Sequence, residues 1–170
     1  FSVMRILIDR IDSEKHIDLI YPIYNAAFQS SDSRLHSTAI SYLPMLIKTI
    51  HTSSLKKTVI PKLIEFLKTS QEPNIVSNCI ATFSESLNRI DHDTLSKLIC
   101  PILTETWLRF RTDDVGAAIL NFIEKVEPEI DTKMRFVVPL AATMLADQVL
   151  DPVAQLKLVK KSKDALDQIV

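Results

Sequence analysis

Residues 59–83 read VIPKLIEFLKTSQEPNIVSNCIATF, and this stretch decides the fold. Val59, Ile60, Leu63, Phe66 and Leu67 recur at the three- and four-residue spacing that lines one side of a helix. Gln71-Glu72-Pro73-Asn74 interrupts the pattern, and Ile75, Val76, Cys79, Ile80, Phe83 and Leu87 resume it. Pro73 suits the first turn of the second helix, where a missing amide proton is no loss. Helices joined by so short a break lie antiparallel. Each carries an apolar stripe, and a single hairpin cannot hide both from water, so neighbouring hairpins have to cover them.

The same unit recurs along the chain. Pro22, Pro61, Pro101 and Pro139 are separated by 39, 40 and 38 residues. Two positions before them stand Ile20, Val59, Ile99 and Val137, and six positions after them Phe28, Leu67, Trp107 and Leu145. Thirteen or fourteen positions after them come Leu35, Ile75, Val115 and Val153, each just past a polar or acidic stretch. A repeat of this period marks a stacked solenoid. The expected fold is all-α, an α-α superhelix of about four helical-hairpin repeats plus a leading half repeat. The half repeat covers residues 1–12, and the repeats cover residues 15–51, 53–90, 93–127 and 130–170. Runs of helix-compatible residues precede Pro61, Pro101 and Pro139, so these prolines are expected inside their helices, kinking them. Asp91 or Asp93 is expected to cap the helix that follows.

Composition narrows the function classes. With 46% hydrophobic residues the chain can build an extended core, and its one glycine, Gly116, argues against hairpin-rich β-structure and phosphate-cradling loops. The net charge is −1 with neither half biased, so no nucleic-acid footprint stands out. The apolar run 137–146 is too short to cross a bilayer, and Arg5, Asp9 and Arg10 interrupt any signal-like start. Cys79 and Cys100 fall on apolar helical positions and read as core thiols of a reducing compartment. The chain starts without a methionine and on half a hairpin, and reads as a piece of a longer protein.

No constellation of residues reads as catalytic, cofactor-binding or metal-binding. His16, His36, His51 and His92 have no His or Cys partner at ligand spacing on a helix and read as surface or helix-end residues. Asp91-His92-Asp93 reads as capping chemistry, and Asp113-Asp114 as acids at a helix N-terminus. Trp107 shares its column with Phe28, Leu67 and Leu145 and is expected in the core. Lys157, Lys160, Lys161 and Lys163 form the best local candidate for a partner-binding surface, diluted by Asp164 and Asp167.

The unit Val59-Ile60-Pro61 through Lys68, then Glu72-Pro73-Asn74-Ile75-Val76, then Cys79 through Phe83, resembles a HEAT repeat. That family opens its first helix with two apolar residues and a proline, and its second with an acid, a valine and an arginine. The arginine is missing here: Ser77, Gly116 and Ala154 follow Val76, Val115 and Val153. More narrowly, Leu43-Pro44-Met45-Leu46, Leu55 through Pro61, Phe136 through Leu140 and Leu150-Asp151-Pro152-Val153 are similar to the HEAT region of SCY1-like pseudokinases.

That resemblance implies vesicle trafficking, coat or adaptor proteins as partners, and a cytoplasmic place near Golgi or endosomal membranes reached through those partners. The functional expectation is a non-enzymatic interaction scaffold without cofactor. Ser37, Ser41, Asn78, Asn88, Asn121 and Glu124 would supply polar contacts from the second helices. The alternatives are a regulatory or targeting HEAT segment of a transport receptor, phosphatase or cytoskeletal scaffold, and, last, an independent helical enzyme.

Overall fold

The computed structural model describes residues 3–12, 15–126, 140–144 and 152–167. Every regular element among the described residues is helical, as the periodicity requires. Val137, Pro139 and Leu145, the fourth members of their columns, lie outside the described residues, as does most of the first helix expected for the last repeat. The chain divides into two units, residues 1–63 and 64–170.

In the first unit, α1 (Met4–Arg10) packs on α4 (Ser33–Ile47). The short α2 (His16–Leu19) leads through Ile20 into α3 (Tyr21–Gln29), which also packs on α4. The Tyr24 hydroxyl donates to the Tyr42 carbonyl at 3.1 Å and joins α3 to α4. Asp32 caps α4, accepting from the Arg34 amide at 2.9 Å. The core between these helices takes Ile20, Tyr24, Phe28, Ile40, Leu43 and Leu46.

His16 takes the helix-end place expected of it, but in the interior rather than at the surface. It is buried at the start of α2, with Nε2 donating to the Ile11 carbonyl at 2.8 Å and Nδ1 lying 2.6 Å from the Thr49 hydroxyl. One ring thus ties together the ends of α1, α2 and α4, which is what makes its burial tolerable.

The helices that carry Pro61 and Pro101 are not simply kinked. A turn of α-helix, α5 (Thr52–Ser54), runs into a wider π turn over Leu55–Val59 and then into α6 (Ile60–Thr69), without leaving helical dihedrals at Ser54, Leu55 or Ile60. The Ile60 amide reaches five residues back to the Leu55 carbonyl. In a regular helix the Pro61 ring would press on the carbonyl four residues earlier, and the wider turn relieves that clash. Forty residues later the device recurs: α8 (His92–Thr94), a π turn over Leu95–Ile99 with the Cys100 amide bonded to the Leu95 carbonyl, then α9 (Cys100–Phe110). Asp91 supplies the cap for α8, accepting from the Thr94 amide at 3.0 Å and from its hydroxyl at 2.8 Å.

In the second unit the principal helices are α7 (Pro73–Ser86), α9, α10 (Asp113–Lys125) and α11 (Pro152–Asp167). Helix α10 is the centre: it packs on α7, on α9 and on α11. Residues 140–144 are helical, with Leu140, Ala141 and Met144 buried. Arg111 ends α9 in the left-handed region at φ 46°, a conformation that costs a side-chain-bearing residue roughly 1 kcal/mol, while its amide closes on the Trp107 carbonyl at 3.0 Å.

The first two apolar columns hold where they are described, and the third breaks at two members, of which only Val153 is a shift of register, since Leu35 is the third residue of α4 as Ile75 is of α7. Ile20, Val59 and Ile99 are buried, as are Phe28, Leu67 and Trp107. In the third column Ile75 and Val115 are buried, but Leu35 is largely uncovered and Val153 is exposed. Ile75 and Val115 are the third residues of α7 and α10, whereas Val153 is the second of α11, so Ala154 stands at the matching turn and is the buried one.

Trp107 and its neighbour Leu108 provide an internal control, at 1% and 51% exposure. Trp107→Ala is expected to lower stability by about 3–5 kcal/mol in urea unfolding, and Leu108→Ala by less than about 1 kcal/mol.

Candidate interaction surface

In the second unit the expected second helices of successive hairpins, α7, α10 and α11, are neighbours in that order. Near the end of α7, Glu85 meets Lys125 from the end of α10. Its neighbour in sequence on α10, Glu124, meets Lys157 of α11 at 3.0 Å. Both pairs are partly exposed, so each contributes at most about 1 kcal/mol; their value lies in fixing which helix edges face each other.

The first helices are braced differently. Arg109 of α9 donates to the Lys68 carbonyl at 2.6 Å and to the Leu67 carbonyl, both in the last turn of α6. Those carbonyls have no acceptor role left inside their own helix, and a cation at this end also complements the helix dipole. The guanidinium stacks on the Phe110 ring, 4.6 Å from its centroid, which holds the fork in place. Sequence reading missed Arg109, because its bonding partners are backbone atoms 41 and 42 residues away.

Small residues follow Val76, Val115 and Val153 in these helices. Ser77 is half-buried, while Gly116 and Ala154 are buried.

The lysine cluster sits on α11. Lys157, Lys160 and Lys163 are exposed, and Lys157 is the one paired with Glu124; the Lys161 side chain lies outside the described set. The same helix exposes three apolar side chains, Val153, Leu156 and Val159, at 65%, 70% and 52%. Sequence reading singled out the lysines, counted Val153 in an apolar column and passed over Leu156 and Val159.

The polar residues expected to make adaptable contacts are scattered. Ser41, Asn88 and Asn121 are exposed, Ser37 and Asn78 are half-buried, and Glu124 is engaged by Lys157. Asn88 belongs to a 3-10 turn, Leu87–Arg89, that follows α7.

Residues that could carry chemistry are placed in structural roles. His36 Nε2 bonds to the Ser30 carbonyl at 2.7 Å, His51 precedes α5, and His92 opens α8 beside Asp93. Asp113 and Asp114 are exposed in the first turn of α10, where acids favour the helix dipole. Among the described residues no three His, Cys, Asp or Glu side chains gather as a metal site, and no helix is long and apolar enough to cross a membrane.

Cys79 and Cys100 are free and buried. Burial holds the Cys79 thiol well above its ordinary range and pushes Cys100 up to about 12, so neither is a ready nucleophile. Burial likewise raises the Tyr24 phenol.

Comparison with protein-family models, with curated proteins and with solved structures finds no match.

The thiols make stability fall at alkaline pH. An unfolded thiol releases its proton near pH 8.5, whereas the buried ones keep theirs, so the folded chain binds more protons above that point. Stability is therefore expected to be insensitive to the thiols below about pH 8. It then declines by up to about 1.4 kcal/mol per pH unit for each thiol as pH rises from about 9 toward 12, with Tyr24 adding to the slope above about pH 10. Urea unfolding at stepped pH checks this: Cys79→Ala/Cys100→Ala should flatten the decline between about pH 9 and 10.

Proposed function

We propose that this chain is a HEAT-like α-solenoid segment that serves as a non-enzymatic protein-interaction scaffold. One observation carries the reading. Consecutive hairpins of the second unit meet like with like: α7, α10 and α11 adjoin in series and are tied by Glu85–Lys125 and Glu124–Lys157, while Arg109 ties α9 to the end of α6. Neighbour-to-neighbour bracing of this kind is what a solenoid requires, because each repeat contacts mainly the next. The packing of α1, the expected half repeat, on α4 follows the same rule within the first unit.

The chemistry of the side chains agrees with a surface-based role. The thiols are buried and protonated, His16 is spent on three helix ends, and Asp91 is spent on a cap. What the chain has in quantity is helix surface, and binding through it would be geometric, by many modest contacts along successive repeats. Within this reading, the similarity to SCY1-like proteins makes coat and adaptor components the partners to try first.

Two measurements test it. Small-angle scattering should give a radius of gyration clearly above the about 15 Å expected of a compact globule of this length. Immobilised chain should retain a coat or adaptor protein at fixed stoichiometry, with retention unchanged in Cys79→Ala and His92→Ala variants. A globule-sized radius would overturn the solenoid, and loss of retention in those variants would overturn the surface-based mechanism.

A further inference from the structure

We draw no further inference here: the strongest candidate, the exposed apolar stripe of Leu19, Pro22, Ile23 and Ala26 along α2 and α3, is an unpartnered helix face, and nothing in the structure shows what covers it.

Discussion

Burial of one apolar stripe per helix is the constraint on which the structure depends. Each helix here is apolar along one side, and a hairpin of two such helices leaves surface that only another helix can cover. Helix α10 shows the outcome: Val115, Ile119, Phe122 and Ile123 are buried, and reaching that state takes contacts with α7, α9 and α11 together. No single partner would suffice. Hydrogen bonds and ion pairs then select among the ways of covering the stripe, at smaller energies than the burial itself.

What the sequence made legible follows from this constraint. Periodicity located α4, α7, α10 and α11 because amphipathic spacing is a local property, and it put Trp107, Phe28 and Leu67 in the core for the same reason. Asp91 was legible as a cap because the capping geometry spans only three residues. The helix-end place of His16 was legible, but its burial was not, since that depends on Ile11 and on Thr49, 33 residues away, which no local pattern announces. Val153 was misjudged by one position: the proline count carries no information about where the first turn of α11 begins. In the candidate surface, lysine spacing could be seen, whereas the exposure of Leu156 could not, because an apolar residue on a helix reads as core until its neighbours are known.

After Val76, Val115 and Val153 the helices α7, α10 and α11 carry Ser77, Gly116 and Ala154. Small residues occupy those positions, and the bracing moves to helix ends, where Lys125, Lys157 and Arg109 reach the neighbouring hairpin. Such contacts are exposed to solvent and salt, so they orient the helices more than they stabilise them. The second unit thus joins its neighbouring helices by side-chain charges at their edges and leaves the middle of each seam to apolar packing.

The two wide turns before Pro61 and Pro101 have a further consequence for rotational phase. Each holds one residue more than a regular helix would use, and with that extra residue Leu55 and Leu95 point inward together with Leu63 and Leu103. Excising a single residue from either turn would swing the leading segment by about 100° and carry its leucine toward water. At these two places, then, the surplus residue sets which way the leading segment faces as well as making room for the proline ring.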